Sequence, residues 1–169
     1  MRPVLSDQSA PRESAVQLAE GFEAAVLSSI SAGYEFLASR LDDEVLVQHS
    51  PAAEGLDGWR SGAETQTYLR EEAIAIPRAF ESDLRLEIGA TASDDTVCIR
   101  PWTWVGTLRG TETVKVSIGY EVILNLKAGR ISSITGSPLA STQRDHIKLW
   151  LRAIESCGGF KPPPPRGSG

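Results

Sequence analysis

The stretch from Val97 to Gly110, VCIRPWTWVGTLRG, decides how the chain folds, because it alternates like a β-strand yet carries Arg100–Pro101 just before two tryptophans. Proline has no amide hydrogen for a sheet ladder, so within a strand it marks an edge, a start or a bulge. Strict alternation would put Val97, Ile99, Pro101, Thr103 and Val105 on one face and turn Trp102 and Trp104 away from them. A one-residue bulge at Arg100–Pro101 instead lets Val97 and Ile99 share the inner face with Trp102 and Trp104. The bulge is the expected arrangement, and it makes the two indoles part of an apolar wall.

The flanking sequence supplies partners for this strand. Leu84, Leu86 and Ile88 alternate with Arg85 and Glu87, and Asp94–Asp95 turns the chain. The clearest period-two segment is TVKVSIGYEVILNLKAG, with Val114, Val116, Ile118, Tyr120, Val122, Leu124 and Leu126 on one face. Lys115, Ser117, Gly119, Glu121, Asn125 and Lys127 oppose them, and Gly129 leads into RISSITGS.

Ahead of the strands, Val16, Ala19, Phe22, Val26 and Ile30 mark a helix over 13–30, ended by SAG at 31–33. Tyr34, Leu37 and Leu41 form a shorter helical stripe, and Val45 with Val47 opens a first strand. Leu69, Ala73 and Ile76 stripe a third helix stopped by Pro77, and a last helix starting near Ser141 is striped by Ile147, Trp150, Leu151 and Ile154. Helices followed by hairpin-linked strands give an α+β fold: a curved, mostly antiparallel sheet around N-terminal helices, with an additional C-terminal helix.

The 169 residues, 41% hydrophobic and 23% charged, suit one domain over 13–157, with a polar tail at 1–12 and a Gly/Pro-rich tail at 158–169. A net charge of −5 with basic residues scattered singly argues against a nucleic-acid partner. No apolar run reaches membrane-spanning length and no secretion signal is evident at the start, so a cytoplasmic location is expected. Cys98 and Cys157 form neither a disulfide framework nor a zinc motif, and no metal site or cofactor is expected.

LDDEVLVQHSP (41–51), then GLDGWRSGAETQTYL (55–69), then the tryptophan strand and GYEVILNLKAGRISSI (119–134) resemble, in order and spacing, the SnoaL-like branch of the nuclear-transport-factor-2-like superfamily. The family's V-x-V-x-W-x-V strand matches here only with one extra residue, the same one the bulge absorbs. The resemblance covers about 14–140 and implies a cone-shaped α+β fold enclosing a pocket. It includes polyketide cyclases, ketosteroid isomerase, limonene epoxide hydrolase and scytalone dehydratase, which act on apolar small molecules; many members have no known activity. A homodimer is also implied.

His49 follows Val45 and Val47 in phase and is the expected proton carrier. The isomerase-like carboxylate before the proline is Ser50 here, which cannot serve as a base at neutral pH. Tyr120 is the expected hydrogen-bond donor. Glu121 matches an isomerase acid by counting back from Gly129, whereas the alternation puts Val122 in that place and turns Glu121 to the polar face. Trp102, Trp104, Trp59, Tyr34, Phe22 and Val122 are the expected substrate-contacting residues, with Trp59 on a glycine-flanked loop as a lid. Arg100 is expected on the outer face and His146 on the surface. The expected activity is cofactor-independent acid–base chemistry (cyclisation, isomerisation or dehydration) on an apolar, polyketide-like substrate; the alternatives are a non-catalytic small-molecule binder of the same fold or a dimeric association module.

Overall fold

Arg100 and Pro101 do form a bulge. On one side of their strand Ile99 pairs with Val122 and Trp102 with Tyr120, leaving both residues opposite Glu121. On the other, Ile88 pairs with Trp102 and Ala90 with Ile99, leaving the same two opposite Gly89. Val97, Ile99, Trp102 and Trp104 are therefore all buried on one face, 0, 0, 7 and 3% exposed. The Arg100–Pro101 peptide is cis.

The computed structural model describes residues 14–49, 57–110, 112–139 and 143–156. The two expected tails, Ser50, Pro51 and Cys157 lie outside the described residues. The elements run α1 (Ala15–Ser28), α2 (Ile30–Ala38), β1 (Leu41–His49), β2 (Gly58–Ser61), α3 (Gly62–Arg78), β3 (Arg85–Ser93), β4 (Thr96–Leu108), β5 (Val114–Lys127), β6 (Arg130–Pro138) and α4 (Gln143–Ser156). Among the described residues, six strands make one open sheet in the order β2-β1-β6-β5-β4-β3. Every pairing is antiparallel except β1 with β6. With helices packed against the inner face, this is the cone-shaped α+β arrangement expected from the sequence.

Local chemistry explains most boundaries. The β5–β6 hairpin turns through Ala128 and Gly129, both at positive φ (54° and 79°), the pair of left-handed residues that a tight two-residue turn requires. Ser14 caps α1 and Ser61 caps α3, each in a reciprocal capping box with Gln17 and Glu64. The break between the first two helices falls at Ser29, not at 31–33, because extended Ser29 ends α1 and its side chain accepts from the Ala32 amide to start α2. Gly33 lies inside α2 for a packing reason: a Cβ there would come within 2.5 Å of a Val26 methyl. Pro77 likewise sits in the last turn of α3, which ends at Arg78.

α1 packs on the side its apolar stripe suggested, with Val26 also against the core, except at Val16, whereas α4 packs on a different side from its stripe. α1 buries Ala15, Leu18, Ala19 and Phe22, while Val16 is 56% exposed. α4 buries Leu149 and Ala153 with His146 and Trp150 half-buried, leaving Ile147 and Leu151 more than half exposed. On that side of α4, Tyr120 of β5 bonds His146 and Trp150 while Leu149 and Ala153 pack into the core beside them. The opposite face of the sheet is polar, with Lys115, Ser117 and Asn125 exposed. Among the described residues no helix is long and apolar enough to cross a membrane.

Candidate functional site

His49 ends β1 in phase with Val45 and Val47, which are 0 and 5% exposed, and its own side chain is half-buried. The Asp57 carboxylate receives the His49 backbone amide at 2.7 Å and lies 3.1 Å from Nδ1. A carboxylate only accepts, so Nδ1 carries the proton and Nε2 is left with the lone pair. Burial pulls the imidazole below its usual pKa, Asp57 pushes it back upward, and Arg60 adds a smaller downward push. At neutral pH this histidine is a fixed-tautomer base.

A second group of polar side chains comes from the helices. Tyr68 and Glu72 stand one turn apart on α3, and the hydroxyls of Tyr68 and of Tyr34 on α2 both donate to the Glu72 carboxyl. Burial raises the pKa of Glu72, and the two phenol hydrogen bonds offset part of that rise. The phenols in turn titrate well above the usual tyrosine value, through burial and then the Glu72 charge. Tyr34 is 2% and Tyr68 6% exposed, whereas Glu72 keeps part of its surface open.

Tyr120 approaches from β5. Its hydroxyl is 2.5 Å from Nδ1 of His146 and also bonds to Trp150, and burial raises its pKa. The His146 ring stands edge-on to Tyr120 and to Trp150, with centroids 5.3 and 6.4 Å apart. His146 is thus half-buried over the inner face, contrary to the surface position expected for it, because the final helix turns its less apolar side inward. Burial, with a smaller push from His49, holds its imidazole below the usual pKa.

The core beside these groups is aromatic. Phe22 (1% exposed) stacks on Trp102 at 5.5 Å, and Tyr34 meets Trp102 edge-on at 5.8 Å and lies parallel to Trp104 at 6.4 Å. Val122 packs against the same core. His49, Tyr120, Tyr34, Phe22, Trp102, Trp104 and Val122 therefore share the inner side, while two expected site residues do not. Trp59 is on strand β2, not a loop, and is 52% exposed, because its neighbour Arg60, 1% exposed, takes the inward position in the alternation. Glu121 faces the outer side, 3.3 Å from Arg100 across the bulge.

Asp57, Tyr68, Glu72 and His146 were not among the expected site residues. Tyr68 and Glu72 had a signal: with Leu69 and Ile76 they recur at helical spacing on the buried side of α3. Asp57 had none, since its pairing with His49 depends on how the chain between β1 and β2 returns. Among the described residues, no group of three His, Cys, Asp or Glu side chains could hold a metal ion.

No protein-family model and no curated protein matches the sequence. Solved structures do share its fold. A Xanthomonas campestris protein of unknown function with a cystatin-like fold superposes with a TM-score of 0.55 at 19% identity, over 81% of this chain and 98% of that one. An NTF2-like protein from Burkholderia xenovorans gives 0.52 at 15% identity, over 80% and 96%. An NTF2-like protein of unknown function from Cytophaga hutchinsonii gives 0.51 at 9% identity, over 72% and 99%. Likenesses at these identities concern the fold alone.

Proposed function

We propose that this chain, which has the nuclear-transport-factor-2-like fold, is an enzyme that moves a proton on an apolar, aromatic or polyketide-like small molecule using its own side chains. The observation that carries the reading is the His49–Asp57 pair at the inner end of β1. Asp57 holds the imidazole in one tautomer, and burial keeps it unprotonated, the two requirements for a general base near neutrality.

His49 Nε2 takes a proton from a carbon next to a carbonyl, and the electron pair moves onto the carbonyl oxygen. A phenol that stays protonated is the matching donor for that oxyanion, and Tyr120 is such a phenol. Its hydroxyl is engaged by His146, so the substrate oxygen competes with the final helix for it. Returning the proton from His49 to a different carbon completes an isomerisation; handing it instead to a hydroxyl on the next carbon, which leaves as water as the C=C bond forms, completes a dehydration. Trp102, Trp104 and Phe22 supply the apolar wall.

The test is turnover of a panel of cyclic ketones and aromatic polyketides by the wild-type chain and by His49→Gln. Loss of turnover by at least about a hundredfold with unchanged binding is expected, the usual size of a general-base contribution. Turnover that survives His49→Gln refutes the role of His49, and binding without any turnover in either chain makes the protein a carrier.

A further inference from the structure

Glu72 is the feature of the cone that proton transfer by His49 does not use. Its hydrogen-bond partners are two phenols from different helices, and no ion pair with it is found among the described residues. Burial without a cation raises its pKa toward the neutral acid, and a cation arriving beside it favours the carboxylate.

The other charges around it do not supply that cation. Arg60 is buried, and the groups that act on its charge are Tyr68 first, then Asp57 and Glu64. His49 and His146 are both held toward their neutral forms by burial. Two phenols, from α2 and α3, hold the carboxyl, and its charge also reaches a third, Tyr120 on β5. Next to them Tyr34 joins Trp104 and Trp102 in one continuous set of ring contacts.

From this arrangement we infer that the inner end of the cone binds an organic ammonium group, with Glu72 as its counter-ion and Tyr34, Tyr68 and Tyr120 around it. An ammonium donates N–H bonds to the carboxylate and to phenol oxygens, and its charge is attracted to aromatic faces. Glu72, which keeps part of its surface open, is the point of contact. The inference rests on the cone being the ligand site proposed above, and it narrows the ligand to a cationic amine carried on an apolar or aromatic frame.

Three probes of one frame, benzylammonium, benzyl alcohol and benzoate, test it by calorimetric titration of the full chain at neutral pH. Benzylammonium is expected to bind about tenfold tighter than benzyl alcohol, one charge-assisted contact's worth, with benzoate the weakest. Glu72→Gln is expected to bring benzylammonium down to the level of benzyl alcohol while leaving the alcohol within about twofold of its wild-type affinity. Equal affinities in the wild-type chain, absence of benzylammonium binding at millimolar concentration, or a preference retained in Glu72→Gln would overturn the inference. If near-ultraviolet circular dichroism shows that Glu72→Gln is unfolded, the wild-type affinity ratio decides alone. The ratio is read without catalysis, so a failure of the His49 mechanism and a failure of the ammonium site give different results.

Discussion

Removing Pro101 separates two things that a bulge can do: absorb an extra residue or bend the sheet. Arg100 and Pro101 together face Glu121 on β5 and Gly89 on β3, two residues against one on each side. Without Pro101, Arg100 alone faces them, and Ile99 and Trp102 stay two positions apart on the same face. Arg100, whose side chain is 62% exposed, keeps its place beside Glu121, and the ladder regains an amide donor. The expected cost is no more than about 2 kcal/mol, from loss of the local bend.

Removing Thr103 is the contrasting case, because it breaks the spacing between Trp102 and Trp104. The less costly response turns Trp104 and Leu108, both 3% exposed, out of the core. At typical large-to-small core costs that is about 5 to 10 kcal/mol, against roughly 5 to 15 kcal/mol of stability for a whole domain. Urea unfolding followed by tryptophan fluorescence distinguishes the two. The chain lacking Pro101 is expected to unfold in one cooperative transition with blue-shifted native emission, and the chain lacking Thr103 to show no transition. If the Pro101 deletion is as damaging as the other, the counting explanation is wrong and the bend itself is what the fold needs.

The pH dependence of the proposed reaction follows from His49. Burial favours its neutral form, so kcat/KM is expected to fall only as pH drops through a value below the usual imidazole pKa of about 6.5. Asp57 raises that value, so Asp57→Asn should move the acid limb further down; an upward move in the pH–rate profile contradicts the assignment. The rotation of α4 is checked by thermal or urea unfolding of Leu149→Ala and Leu151→Ala. The first, fully buried, should cost about 2 to 5 kcal/mol. The second, 56% exposed, should stay within about 0.5 kcal/mol, and the reverse order would mean the helix is turned the other way.

The strands were legible because period-two patterning has one reading once a face is buried. Val116, Ile118, Leu124 and Leu126 fall where the alternation puts them, and the bulge in β4 followed from counting apolar positions around a proline. One helix was harder, because α4 packs on the contact that Tyr120 offers and not on its most apolar stripe. In α4 the pair Ile147 and Leu151 is more hydrophobic than His146, yet Tyr120 provides a partner only for the latter and for Trp150. The site shows the same division. His49 and Tyr120 were visible as polar residues in apolar strands. Glu72 shares the buried-side spacing of α3 with Tyr68, but an acid there reads as solvent-facing until the two tyrosines that meet it, one of them from another helix, are known.

The parallel pairing of β1 with β6 also bears on the order in which the molecule assembles. β3, β4, β5 and β6 are each paired with their neighbour in sequence, whereas β1 must meet a strand from far along the chain. Closing that long loop carries an entropy cost before any contact repays it, so local hairpins form ahead of distant pairings. The four-strand meander with its aromatic wall therefore has the kinetic advantage, and β1 docks onto a surface already built. His49 arrives with β1, and the base reaches the tyrosines and Glu72 only when that last seam closes.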